Sequence, residues 1–243
     1  QLVLLVNRML ENIQRLVGGM ETTLDTVAHD LRTPMTRLRG VAELALRNPS
    51  ASEGEYRRAL ETCVDESERI LTLLNTLMDI SEVQSGMLNL AVESIDLDAL
   101  LADVCELFGF SAEDKGVTIR FVAGTGGAHV HGDAVRLRQA FGNLVDNAVK
   151  FSPAGEEVVV TSRVDDDLIV EIADKGPGIG TEELSRVWER LFRGSASVTS
   201  PEAGGLGLGL SLVKAVIDAH GGRVLLENHP AGGARAVVSL ARA

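Results

Sequence analysis

The stretch Ala28-His29-Asp30-Leu31-Arg32-Thr33-Pro34 sets an ionisable nucleophile, an acid and a proline inside a segment whose apolar residues recur at intervals of three and four. Met20, Leu24, Val27, Leu31, Met35, Leu38 and Ala42 hold that spacing, which predicts a long amphipathic helix with a coiled-coil-like seam. Upstream, Leu2, Leu5, Met9, Ile13 and Leu16 carry the same rhythm until Gly18-Gly19 interrupts it, so a phase shift or a locally weak helix is expected there. A histidine with an ordinary pKa of about 6.5 is largely neutral near neutral pH, and one ring nitrogen can act as a nucleophile if the other is held protonated. Asp30 is placed to accept a hydrogen bond from Nδ1 and so set the tautomer. Pro34 has no amide hydrogen and is expected to bend or loosen the helix just after His29. Taken alone, the stretch reads equally well as a solvated histidine on a charged helix face.

Downstream, Asn48-Pro49-Ser50-Ala51-Ser52 reads as a turn, and Ser52 with Glu55 forms a capping-box pattern that opens a second helix. Leu60, Val64, Ser67, Leu71, Leu74, Met78 and Ser81 mark one face of that helix, with Cys63, Ile70, Leu73 and Leu77 beside them. Two helices with so wide an apolar stripe cannot hide it within one hairpin. Two hairpins packed as a four-helix bundle can, so a homodimer is predicted.

Beyond Gln84-Ser85-Gly86 the pattern changes to strands alternating with helices. Helices are predicted over Leu97 to Lys115, over Asp133 to Val149 with Asp133 as N-cap, and over Leu208 to His220, where Gly221-Gly222 stops the last. Strands are predicted at Val117 to Val122, Arg223 to Glu227 and Arg235 to Leu240. Glu157 to Val164 and Leu168 to Ala173 read as a hairpin turning at Asp165-Asp166-Asp167. Asp174 to Leu206 is long, glycine-rich and aperiodic, as a functional loop or lid would be. The fold class that follows is an α helical hairpin forming a dimeric four-helix bundle, then an α+β sandwich with helices over one face of a mixed sheet.

The 243 residues carry a net charge of -12, which argues against a nucleic-acid or anionic-membrane surface. No apolar run approaches the ~20 residues of a membrane span, and the described composition reads as soluble. The chain opens mid-pattern on Gln1, as a fragment of something longer would. Cys63 and Cys105 show no metal or redox spacing and are expected to be small buried residues in a reducing compartment. His129, His131, His220 and His229 lack partners at ligand spacing and are read as structural or surface residues.

Three further clusters carry chemistry. Asn143 and Asn147, four apart, share a helix face with Arg136 and Gln139, and Lys150 and Phe151 follow. Their amides can offer oxygen to a hard cation and NH2 to phosphate, and Lys150 adds a point charge. In Asp174-Lys175-Gly176-Pro177-Gly178-Ile179-Gly180, which follows an apolar strand, an acid can accept from an exocyclic amine such as that of adenine, while the glycines let backbone approach the ring. Gly204-Gly205-Leu206-Gly207-Leu208-Gly209-Leu210 precedes a helix and suits a phosphate, yet lacks the Gly-Lys-Ser/Thr ending of a Walker loop.

Together these motifs resemble the kinase core of bacterial two-component sensor histidine kinases, over about residues 20 to 243. His29 to Pro34 resembles the H box, Asn143 to Phe151 the N box, Asp174 to Gly178 the G1 box and Gly205 to Leu210 the G2 box. Val187 to Arg193 is similar to the F box, with Trp188 and Leu191 where phenylalanine is commoner. The resemblance implies the end of a HAMP-type signalling helix at 1–19, a dimerisation and histidine phosphotransfer domain at 20–86, and a Bergerat-fold ATP-binding domain at 87–243. It implies phosphorylation of His29 from ATP and Mg2+, with transfer to an aspartate on a response regulator receiver domain. It places Mg2+ on Asn143, phosphate on Asn147 and Lys150, and adenine on Asp174. Phe151, Gly176, Gly178, Ile179, Gly205, Leu206, Gly207, Leu208 and Gly209 fall in the nucleotide site, and Arg193 is expected either to reach phosphate from the lid or to be solvated. Thr33 stands where the family places a residue needed to dephosphorylate the regulator, which implies a bifunctional kinase and phosphatase. The resemblance also implies a cytoplasmic portion of an inner-membrane sensor, joined to membrane only through an upstream region. A catalytically degenerate ATP-binding scaffold and a gyrase-type ATPase are the alternatives; intact His29, Asn143 and Asp174 argue against the first, and the nucleophile-bearing bundle against the second.

Overall fold

The computed structural model describes residues 31–48, 52–84, 90–124, 127–190, 192–195 and 207–242. His29, Asp30, Gly205 and Leu206 lie outside them, as do Gly18-Gly19 and Leu191. The chain divides into two compact units, Gln1–Leu77 and Met78–Ala243.

In the first unit, helix α1 covers 31–47 and is continuous through Pro34, and helix α2 covers Glu53–Gln84. The capping box forms as the sequence predicts: the Glu55 N–H donates to Ser52 Oγ at 3.3 Å, and Glu55 Oε2 accepts from the Ser52 N–H at 2.7 Å. Tyr56 Oη donates to the Asn48 carbonyl at 2.8 Å and ties the start of α2 to the end of α1. Arg37 reaches Glu66 at 3.1 Å and Cys63 Sγ approaches the Leu38 carbonyl at 3.8 Å, while Asn48 at the end of α1 meets Tyr56 near the start of α2, so the two helices form an antiparallel hairpin. Leu44, Leu46, Leu60, Val64 and Leu71 remain 56–83% exposed. The hairpin therefore leaves much of its apolar stripe uncovered.

The second unit opens with β1 (Glu93–Asp96) and α3 (Leu97–Asp114), followed by β2 (Thr118–Val122), β3 (His129–Gly132) and α4 (Ala134–Phe151). The hairpin β4 (Glu157–Val164) and β5 (Leu168–Ala173) leads on to α5 (Gly209–Ala219), β6 (Arg223–Asn228) and β7 (Ala234–Leu240). Five strands form one mixed sheet in the order β2-β4-β5-β7-β6, in which only β2 and β4 run parallel. The sequence reading finds these elements to within a residue or two but leaves β1 and β3 unassigned. Each has four residues and one central apolar side chain, Ile95 or Val130, too short a run to show alternation, and they pair with each other across the whole of α3 and β2.

Period-2 burial along β4, β5 and β7 turns Val158, Val160, Leu168, Val170 and Val238 toward a core shared with Leu97, Leu101 and Val104 of α3, Leu137, Phe141 and Val145 of α4, and Leu212 and Ile217 of α5. Burying each such side chain is worth about 1.5–3 kcal/mol. The opposite sheet face carries Arg163, Glu171, Arg235 and Glu227, linked across β4, β5, β7 and β6 by ion pairs. Asp96 caps α3 by accepting from the Ala99 N–H at 3.1 Å. Lys115 Nζ, donating to the carbonyls of Val149 and Lys150, satisfies the far end of α4. Cys63 and Cys105 are free and half-buried rather than fully buried, and desolvation pushes the Cys105 thiol up to about 11. Among the described residues no helix is long and apolar enough to cross a membrane.

Candidate functional site

Helix α4 is the spine of the site. Asp133 starts it by accepting from the N–H groups of Val135 and Arg136 at 3.0 and 3.1 Å, while its second oxygen accepts from Ala91. Burial pushes this carboxyl up, but the three backbone donors outweigh it and hold Asp133 below the usual carboxylate range. Its own N–H donates to His220 Nε2 at 3.0 Å, and His220 Nδ1 lies 2.7 Å from the Val216 carbonyl. His220 is thus a neutral Nδ1–H imidazole joining the start of α4 to the end of α5, the structural role expected of it.

With its apolar face buried, α4 keeps Gln139, Asn143, Asp146, Asn147 and Lys150 half-buried on the other face. Asn143 donates its NH2 to the Gln139 carbonyl one turn back, at 3.1 Å. That contact fixes the amide and leaves Oδ1, which faces Gly209, as its acceptor. A Cβ on Gly209, the first residue of α5, would sit 3.1 Å from this oxygen, so the glycine brings α5 close beside Asn143. Gly207 lies in the left-handed region at φ +68°, and Leu208, at the N-cap of α5, makes no side-chain cap hydrogen bond. Lys150 is held by Asp146 at 2.5 Å, so any phosphate contact from Lys150 competes with this intrahelical pair.

The glycine loop after β5 closes the other side. Asp174 is 9% exposed. Its Oδ1 accepts from the Gly176 N–H at 2.8 Å and the Ala234 N–H at 3.0 Å, leaving Oδ2 as the oxygen with no donor among the described residues. Burial raises the Asp174 carboxyl above its ordinary range, against those two N–H groups and nearby His229, which pull it down. At Gly176 a Cβ would stand 2.6 Å from the Phe151 carbonyl, so only glycine lets the loop lie against the end of α4. Residues 174–190 carry turns and neither strand nor regular helix, as expected of the segment after β5. Within it Glu183 Oε1 accepts from the Ser195 N–H at 2.8 Å, and Arg193 is exposed. Arg190 Nη2, by contrast, is buried with no acceptor among the described residues.

The second unit thus carries Asn143, Asn147, Lys150, Phe151, Asp174, Gly176, Gly178, Ile179, Gly207, Leu208 and Gly209 on α4, on the glycine loop after β5 and at the start of α5. A family model described as "Histidine kinase-, DNA gyrase B-, and HSP90-like ATPase" matches residues 132–243, and one described as "His Kinase A (phospho-acceptor) domain" matches residues 19–86. The solved mycobacterial sensor histidine kinase MprB is 30% identical, with a TM-score of 0.54 over 62% of this chain and 97% of MprB.

The chain belongs to the histidine kinase family.

Sensor histidine kinase CusS of Escherichia coli (strain K12) is 32% identical over 241 residues, which cover 99% of this chain and 49% of CusS. The chain therefore spans about half the length of that relative. Full-length ShkA, solved in complex with AMPPNP, is 27% identical with a TM-score of 0.68 over 91% of this chain and 46% of ShkA.

In this histidine kinase core the motif reading overlooks the β6–β7 turn. Asn228, Gly233 and Ala234 hold the Asp174 loop in place: Asn228 bonds to Ile179, and a Cβ on Gly233 would lie 2.1 Å from the Asp174 carbonyl. The run Asn228-His229-Pro230-Ala231-Gly232-Gly233 does announce a turn. That the turn touches Asp174, some 60 residues away, is visible only in the fold.

Proposed function

We propose that this chain is an ATP-dependent protein histidine kinase core that phosphorylates itself on His29 and passes the phosphoryl group to an aspartate of a response regulator. One observation carries the reading: buried Asp174 has one carboxylate oxygen held by two backbone N–H groups and the other with no donor among the described residues, beside the Gly176 backbone. A buried carboxylate with a raised pKa is costly to keep, and a donor-bearing ring such as adenine supplies the missing partner. Asn147, Lys150 and the start of α5 are the phosphate-side groups. Asn143 Oδ1 is the protein oxygen that suits Mg2+, a cation that takes few protein ligands and keeps most of its waters; when bound, it neutralises charge on the phosphates.

His29 Nε2 attacks the γ-phosphorus in line, with Asp30 accepting from Nδ1–H. The Nε2–P bond forms as the bond to the bridging oxygen breaks, and ADP leaves. Residues 20–86 are the dimerisation and phosphotransfer domain, 87–243 the ATP-binding domain and 1–19 the end of a signalling helix. The exposed Leu44, Leu46, Leu60, Val64 and Leu71 support a homodimer formed through the helical hairpin. Thr33 serves dephosphorylation of the regulator.

Incubation with ATP labelled at the γ-phosphate tests the reading. An acid-labile, alkali-stable label on the protein is expected, and Thr33→Ala keeps the label while losing phosphatase activity toward the regulator. Phosphate release with no protein label would indicate a gyrase-type ATPase, and nucleotide binding with neither would indicate a scaffold.

A further inference from the structure

We propose that Asn228, at the end of β6, is a positioning residue for nucleotide binding, fixing the glycine loop that carries Asp174. The inference rests on the nucleotide site proposed above and deepens it.

The loop from Asp174 to Ile179 is strapped at both ends to the β6–β7 turn. At its start, the Asp174 N–H donates to the Ala234 carbonyl at 2.9 Å and Oδ1 accepts from the Ala234 N–H at 3.0 Å. At its end, the Asn228 amide makes a two-point contact with Ile179: Oδ1 accepts from the Ile179 N–H at 2.7 Å, and Nδ2 donates to the Ile179 carbonyl at 2.8 Å. A side-chain amide here does what a neighbouring strand does elsewhere in the sheet, satisfying donor and acceptor of one residue together. Between the anchors, Gly178 lies in the left-handed region at φ +75°, and a Cβ there would stand 2.8 Å from Asn228 Oδ1. The turn is itself braced, since the His229 N–H donates to the Gly233 carbonyl at 2.9 Å and the Gly232 N–H to the His229 carbonyl at 2.9 Å. Asn228 thereby sets how far Ile179 stands from Asp174, which is the width of the slot a base must enter.

Asn228 and its two hydrogen bonds to Ile179 are exposed, so the side chain's contribution to fold stability is small. Its effect is therefore expected on ligand affinity rather than on folding. Without its two hydrogen bonds the loop samples other arrangements, and binding must first restore the competent one.

The test compares the wild-type chain with Asn228→Ala, Asn228→Asp and Asp174→Asn, using Mg-ATP as the probe. Asn228→Ala is expected to weaken ATP binding about tenfold and raise KM by the same factor, leaving the labelling rate at saturating ATP and the ligand-free melting temperature unchanged. Asn228→Asp retains the acceptor for the Ile179 N–H but turns an oxygen toward the Ile179 carbonyl, and is expected to weaken binding comparably while folding normally. Unchanged affinity and KM in both variants would overturn the inference, as would a fall in melting temperature with affinity intact. Should the wild type bind no ATP, or Asp174→Asn bind as well as wild type, the site reading itself fails.

Discussion

Helix α4 and helix α2 are both amphipathic, yet they end in opposite conditions. In the α/β unit, Leu137, Phe141 and Val145 of α4 are sealed beneath α3, α5 and the sheet, whereas Leu60, Val64 and Leu71 of α2 face solvent. One unit completes its core within the chain; the other presents an apolar face that a second copy can cover. The division suits the proposed chemistry. A nucleotide pocket needs rigid walls on every side, while a helix carrying a phosphoacceptor must stay accessible to more than one partner.

The largest expected effect comes from breaking the helical face. Leu60→Glu combined with Leu71→Glu removes from each protomer two exposed leucines that the proposed dimer would bury, at about 1.5–3 kcal/mol apiece, and places like charges in the seam. The chain should become monomeric by light scattering, while its ATP affinity stays at the wild-type value. A dimer that persists would locate the interface elsewhere.

Asp174→Asn probes the other region. The neutral amide still accepts from Gly176 and Ala234 but presents NH2 where an acceptor is needed, so ATP affinity should fall on the order of 100-fold. Stability should move the other way. Because burial raises the folded-state pKa of Asp174, the wild type loses stability as pH rises from the ordinary carboxylate pKa through that raised value. Asp174→Asn should lack this loss, which thermal unfolding at a series of pH values reads directly. A variant less stable than wild type at neutral pH would mean that the carboxylate is kept for the fold.

Ser52→Ala is the mildest change. It removes the N-cap of α2 and should cost about 1 kcal/mol, lowering the unfolding midpoint of the helical unit without altering nucleotide affinity. Loss of affinity would tie the two regions together more closely than their separate cores imply.

What could be read from the sequence was whatever physics makes local. The Ser52–Glu55 box, the Asp133 cap and the hairpin from Glu157 to Ala173 are each set by residues within a turn or an alternating run, and each forms. Asp174 was legible as an acid at a strand end before a glycine loop. Its second anchor was not, since Ala234 and Asn228 reach the loop from 60 and 49 positions away. The same holds for His220, whose bond to Asp133 spans 87 positions. Lys150 gives the reverse lesson. The Asp146 pairing lies within one helical turn, four residues upstream, and competes with the phosphate role that the motif implies.

The most direct test of the account reads ATP binding and covalent label in the same samples of wild type, Asp174→Asn and His29→Ala. The account predicts that Asp174→Asn loses both, and that His29→Ala binds ATP as the wild type does yet takes no acid-labile label. Label surviving in His29→Ala would contradict it, because the phosphoryl acceptor would then be another residue.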